Sequence, residues 1–179
     1  MLERPIGPNP YDLLPKVASF ALASKDLREG ERLPEAHVAG SAGGGNESPQ
    51  LSWSGFPAKT AGFALTCYDP DAPTGSGFWH WAVANLPASL TELPRGAGDA
   101  SGKHLPPGAV QLRNDGGTMG YMGAAPPKGD RPHRYIFAVH ALDSAKLDVG
   151  PASSPALLGF NITFHVIARA TLTVTYQVS

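Results

Sequence analysis

Two histidines and a tyrosine stand in otherwise apolar runs of this chain, and two aspartates are fixed between prolines. The first run is FWHWAVAN (78–85), which sets His80 between Trp79 and Trp81. The second is HRYIFAVHAL (133–142), where His133 and Tyr135 are two residues apart. On a strand these two share a face, with their polar tips about 6.6–7 Å apart along it. By the same alternation Phe78, His80 and Ala82 share a face, so neighbouring strands would bring His80 to the other two. Asp69 and Asp71 lie in CYDPDAP (67–73), where Pro70 and Pro73 restrict the backbone and aim the carboxylates in fixed directions. A carboxylate beside an imidazole fixes its tautomer and raises its pKa, leaving a cationic donor. Two imidazoles and a phenol then make a donor set suited to an anion such as phosphate.

Taken singly, each feature has a plainer reading. D-P-D-x-P is a turn, and a histidine on an apolar strand is a satisfied core residue. His37, His104, His140 and His165 stay in that class, and Trp79 and Trp81 read as packing groups. A hydrolase using Ser, His and Asp would be expected to carry a G-x-S-x-G elbow, and Gly75-Ser76-Gly77 lacks that spacing. A metal-dependent enzyme would need His80, His133 and a carboxylate to converge as a facial triad. These two enzyme readings of the same pocket are the alternatives to a binding module. No catalytic residue, metal ligand or cofactor is assigned.

The elements that position these residues follow from composition and period. The 179 residues suit one domain, and a chain of this size buries roughly 70% of its unfolded surface without needing disulfides or metal. The net charge of −1 and the scattered Lys and Arg leave no basic face for nucleic acid. The single cysteine, Cys67, excludes an intrachain disulfide and a multi-cysteine metal site, and reads as a small core residue. No segment is apolar over the ~20 residues of a membrane span, so a cytoplasmic protein is expected. The 21 Gly and 18 Pro fall between apolar runs, as in strands joined by specified turns.

Residues 1–16 read as an irregular arm, because Pro5, Pro8, Pro10 and Pro15 forbid a continuous helix there. The domain follows over 17–179. SFALAS from Ser19, LSWSGFP (51–57), AGFALTCY (61–68), FWHWAVAN and HRYIFAVHAL read as strands. Ser154-Pro155 offers an N-cap with proline at the first helical position. GFNITFHVIARA (159–170) reads as a helix of about three turns, ending where Thr171 begins, with TLTVTYQV as the last strand. The sum is a mostly antiparallel β domain with few helices.

Several stretches together carry a family resemblance. DPDAP (69–73), FWHWAVANLP (78–87) and YMGAAPPKG (121–129) running into HRY (133–135) resemble the phosphatidylethanolamine-binding protein family, to which the Raf kinase inhibitor proteins belong. SPQLSWSGFP (48–57) and SPALLGFNITFHVIARA (154–170) resemble its bacterial and archaeal branch, and the likeness spans about 17–177. The resemblance implies a Greek-key β-sandwich of a large and a small sheet, with a helix near the C-terminus. It implies an anion pocket at Asp69, Asp71, His80, His133 and Tyr135. A pocket loop then corresponds to Gly123–Pro127, with Gly123, Ala125, Pro126 and Pro127 at it and Ala124-Ala125 before the prolines. It implies a binding protein for a small phosphate-bearing or other anionic ligand, regulating a kinase or protease, rather than an enzyme. A homodimer is expected from the bacterial relatives and from the apolar load near the helix.

Overall fold

In the computed structural model, which describes residues 3–179, two sheets enclose the main core. The large sheet has six strands: β1 (Ala18–Ser19), β4 (Gly62–Asp69), β5 (Phe78–Pro87), β7 (Val110–Gln111), β8 (His133–Leu142) and β9 (Val166–Tyr176). Their order is β1-β9-β8-β4-β5-β7. The small sheet orders β2 (Ala21–Ala23), β3 (Leu51–Ser54) and β6 (Glu92–Leu93) as β2-β3-β6. In the large sheet β4, β5 and β7 lie side by side, and β8 returns to the free edge of β4. That is the Greek-key order. All pairs are antiparallel except β1 with β9.

Strand chemistry explains the layers. Phe63, Leu65 and Cys67 of β4 and Phe137 and Val139 of β8 alternate onto one face, where they meet Leu51 and Trp53 of β3 and Leu93 of β6. Ala64, Ala82, Ala84 and Leu142 point the other way, onto Leu158 and Ile162 of helix α2 (Pro155–His165). The central strands are therefore buried on both faces and read as nearly unbroken apolar runs.

Two elements differ from expectation. SFALAS is not one strand: β1 pairs with β9, and beyond Phe20 the chain crosses to the small sheet as β2. Ser154 does cap α2, its hydroxyl accepting from Leu157 N at 3.1 Å. The helix, however, begins at Pro155 and ends at His165, five residues before the expected end at Ala170. Residues from Val166 onward pair with β8, Leu142 opposite Val166 and Ala141 opposite Ala168. Two adjacent β-branched residues, Val166 and Ile167, suit that pairing, and the ladder overrides a helical period.

The arm is ordered against the domain. A single helical turn, α1 (Pro10–Leu13), is capped by Asn9, whose side chain accepts from Tyr11 N at 3.1 Å.

Candidate functional site

The C-terminal end of β4 and the N-terminal ends of β5 and β8 coincide, so Asp69, Phe78 and His133 come together at one end of the large sheet. A pocket of about 250 Å³ opens there. Asp69, Phe78, His80, His133 and Tyr135 line it, together with Met122 and the Ala125–Pro127 loop. The two imidazoles, the phenol and Asp69 thus converge on one pocket.

His80 reaches it through a β-bulge. Cys67 pairs with Trp81 and Tyr68 with Trp79, so His80 is the additional residue on β5. The bulge breaks the alternation. Trp81 enters the inter-sheet core, and Ala82 faces α2, not the pocket as strict alternation predicts. The tryptophans are not the walls around His80 either. Trp79 packs on Tyr68 at 4.4 Å between ring centroids, and Trp81 donates to Gln111 Oε1. Phe78 and Tyr135 enclose the imidazole instead, with centroids at 4.8 and 5.0 Å.

The two histidines are in opposite electrostatic states. His80 Nδ1 lies 2.8 Å from the Met122 carbonyl, which can only accept, so this nitrogen carries a proton. Nε2 makes no hydrogen bond among the described residues. Burial lowers the pKa of His80 and outweighs the Met122 carbonyl and the more distant Asp69, leaving the ring neutral at pH 7. Among the described residues no carboxylate bonds it, contrary to the expectation that an aspartate charges both histidines. His133 is clamped between two carboxylates, with Nδ1 2.8 Å from Asp69 Oδ2 and Nε2 3.1 Å from Asp130 Oδ2. Burial opposes its charge, but Asp69 and Asp130 together raise its pKa above the ordinary value. Both its nitrogens are thereby committed within the protein.

Tyr135 is 2% exposed, and its hydroxyl makes no hydrogen bond among the described residues. Burial, then the charge of Asp69, pushes its pKa far up, so the phenol remains a donor. Asp69 Oδ1 accepts from Asp71 N at 2.7 Å. Asp71 itself turns out of the pocket. Arg134 bonds it through both oxygens, Nε to Oδ2 at 2.7 Å and a terminal nitrogen to Oδ1 at 2.9 Å. Burial would raise the pKa of Asp71, but the Arg134 bonds lower it overall. Gly123 also misses the pocket. Its N–H donates to Asn46 Oδ1 at 2.8 Å, and a Cβ there would lie 2.3 Å from Ala39 N, so only glycine fits this crossing.

Residues that strand alternation could not find complete the site. Asp130 forms an ion pair with Arg4 of the arm at 2.7 Å, and that guanidinium also lies 3.1 Å from His133 Nε2. The Arg4 bond, against burial and helped by His133, holds the Asp130 carboxyl far below the usual range. Arg131 donates to Arg4 O at 2.8 Å and to Pro5 O at 2.7 Å, and Arg134 to Gly7 O. The aspartates are therefore neutralised from behind: Arg4, Arg131, Arg134 and protonated His133 face Asp69, Asp71 and Asp130. Among the described residues no group of three His, Cys, Asp or Glu is placed to hold a metal ion.

The family model for phosphatidylethanolamine-binding protein matches residues 23–177. The chain belongs to the phosphatidylethanolamine-binding protein family. Among relatives in the family, YbhB of Escherichia coli is 52% identical over 158 residues, covering 87% of this chain and 99% of that protein. YbcL of the same organism is 50% identical over 165 residues, covering 91% of this chain and 90% of that protein. The crystal structure of YbcL superposes with a TM-score of 0.87, covering 90% of this chain and all of that one. A carboxypeptidase Y inhibitor solved with its cognate proteinase shares the fold, with a TM-score of 0.51 and 18% identity over 90% of this chain and 85% of the inhibitor. Within the family frame, the DPDAP turn of this chain supplies one pocket carboxylate, Asp69, and one structural carboxylate, Asp71.

Proposed function

We propose that the chain is a small-anion-binding module whose ligand presents a phosphate group, and that it regulates a kinase or protease partner. The observation that carries this reading is the pair of free polar atoms in the pocket, the Tyr135 hydroxyl and His80 Nε2. Tyr135 donates to an anionic oxygen. His80 either accepts from a P–OH group or takes up a proton and donates. A phosphate monoester offers both kinds of oxygen near neutral pH. The carboxylates nearby are already paired, so they do not repel the ligand. The fold neighbour that inhibits carboxypeptidase Y supports a regulator of this shape. Among the described residues the only hydroxyl besides Tyr135 lining the pocket is Thr74, and it donates to Gly77 O instead of meeting a base. That favours binding over hydrolysis by these residues.

Calorimetric titration tests the proposal. Inorganic phosphate and phosphoethanolamine are expected to bind one to one and to shift the NMR signals of His80 and Tyr135, whereas ethanolamine does neither. Absence of saturable binding at millimolar phosphate would end this reading. Turnover of a phosphate ester would replace it with the hydrolase.

The homodimer is proposed with it. Leu157, Phe160 and Phe164 stand on one exposed stripe of α2, with Phe160 and Phe164 63% and 66% exposed. Light scattering is expected to show a dimer at high micromolar concentration, and a monomer there counts against it. The cytoplasm is the proposed compartment; the buried free thiol of Cys67 suits it, and no described helix is long and apolar enough to cross a membrane.

A further inference from the structure

On the opposite face of the large sheet, α1, α2 and the sheet enclose a second cavity of about 400 Å³. Leu13 and Leu14 of the arm, Trp79 of β5, and Phe160 and Ile162 of α2 make its walls apolar. One end is different. A line of polar side chains from four elements runs along it: Tyr11, Thr66, His140 and Arg169. The Tyr11 hydroxyl is 3.1 Å from Thr66 Oγ1, which is 3.1 Å from His140 Nε2. Arg169 Nε donates to His140 Nδ1 at 3.2 Å. That bond fixes His140 as the neutral tautomer protonated on Nε2, in keeping with burial and Arg169 lowering its pKa to about 3.

Arg169 is the informative member. Its guanidinium carbon sits 4.5 Å from the centre of the Tyr11 ring. It forms no ion pair, and its terminal nitrogens make no hydrogen bond among the described residues. The group is half-buried, and the other polar groups at this end are neutral. A partly desolvated cation lacking a counter-ion among the described residues, at one end of an apolar chamber, is complementary to an anion that carries an apolar tail. We propose that this cavity is a second binding site, for an amphipathic monocarboxylate whose head meets Arg169 and whose tail lies between Trp79, Ile162 and the Leu13–Phe160 mouth. The carboxylate would take the two terminal nitrogens of Arg169 as a fork. Leu13 and Phe160, 73% and 63% exposed, would be covered by the tail where it reaches the mouth.

Gly159 supplies a clean probe. It lines the cavity, and a Cβ placed on it meets nothing within 4 Å. Gly159→Leu therefore fills the chamber while improving helix propensity, so it blocks the ligand and keeps the fold. The experiment is calorimetry on the full chain with octanoate, with acetate and octylamine as controls for tail and charge. Octanoate is expected to bind saturably, and the two controls are not. Arg169→Gln is expected to weaken octanoate at least tenfold. Gly159→Leu is expected to abolish it without lowering the thermal midpoint. Neither substitution should change phosphate affinity at the other pocket. Any of these results would overturn the assignment: no saturable octanoate binding by the wild type, equal binding by Gly159→Leu, or octanoate that binds only by displacing phosphate. A dimer in light scattering that excludes octanoate would likewise overturn it, by giving the cavity mouth to a second copy.

Discussion

Replacing His133 by Ala is expected to destabilise the protein by about 3–5 kcal/mol, the range for removing one partner of a buried ion pair. His133 and Asp69 are 1% and 2% exposed, and their contact is 2.8 Å. Without the imidazolium, Asp69 keeps the Asp71 N–H but loses its cation, and Asp130 keeps only Arg4 among cationic partners. At about 2–4 °C per kcal/mol for a domain of this size, the thermal midpoint is expected to fall by roughly 10 °C. The pH dependence identifies the cause. His133 has a raised pKa in the folded state, so its contribution is fully present below the unfolded value of about 6.5. It is lost as pH rises through the higher folded value. The wild type is therefore expected to lose stability from about pH 6.5 upward, and His133→Ala to lose that slope. Asp69→Asn removes the carboxylate nearer to His133 and shifts the decline to lower pH. Denaturant titrations between pH 5 and 9 measure all three. A wild-type slope that survives intact in His133→Ala would show that the slope does not come from a proton held on His133.

What was legible in the sequence was what a single strand decides. The limits of β8 match the apolar run HRYIFAVHAL, and the shared face of His133 and Tyr135 follows from alternation alone. The sandwich with a helix near its C-terminus was reached through the family motifs, and the Ser154 cap through local chemistry. What failed was decided by pairing between strands. The bulge at His80 is a property of β5 against β4, and nothing in FWHWAVAN states that one residue too many will face Cys67. Alternation therefore put His80 on the right face and Ala82 on the wrong one. It also missed that the two tryptophans part company: Trp81 enters the inter-sheet core, whereas the half-buried Trp79 packs on Tyr68 beside α2's cavity. The end of α2 was lost for the same reason, since the ladder to β8 recruits Val166 and Ile167. Asp71 looked equivalent to Asp69, but Arg134 alternates away from His133 and carries Asp71 with it. Arg4 lies 129 residues from His133, in an arm with no periodic signal, so only the folded chain connects them.

The state of His80 sets the second large effect, and it differs from that of His133 in sign. A neutral, buried imidazole with Nε2 turned to the pocket is charged by its ligand rather than by an aspartate. An anion at Nε2 raises the pKa of His80, so binding takes up a proton and affinity rises as pH falls. The window opens below about 6.5, because the pKa of the free ring is lowered from that value, and it closes at the raised pKa of the ring with the anion bound. Sulfate is the discriminating probe. It keeps its double charge across this range, whereas phosphate changes its own protonation near pH 6 and confounds the slope. Sulfate affinity is expected to rise from pH 6.5 to pH 5, by up to tenfold per unit. The loss of His133 charge gives a separate decline above 6.5. His80→Ala is expected to weaken sulfate at pH 5 by about 1.5–3 kcal/mol, roughly ten- to a hundredfold, and to flatten the rise toward low pH. Tyr135→Phe is expected to weaken binding at every pH by a constant factor, since its phenol stays protonated throughout. The aromatic surround explains the strength. Phe78 and Tyr135 keep water from the imidazole, so the bond to the anion forms in a low-dielectric wall where an ionic hydrogen bond is strong. Calorimetry in buffers of different ionisation enthalpy reads the proton directly. Sulfate binding with no proton uptake at pH 5.5, together with unchanged affinity in His80→Ala, would mean that the bulge serves packing and that Tyr135 binds the anion without it.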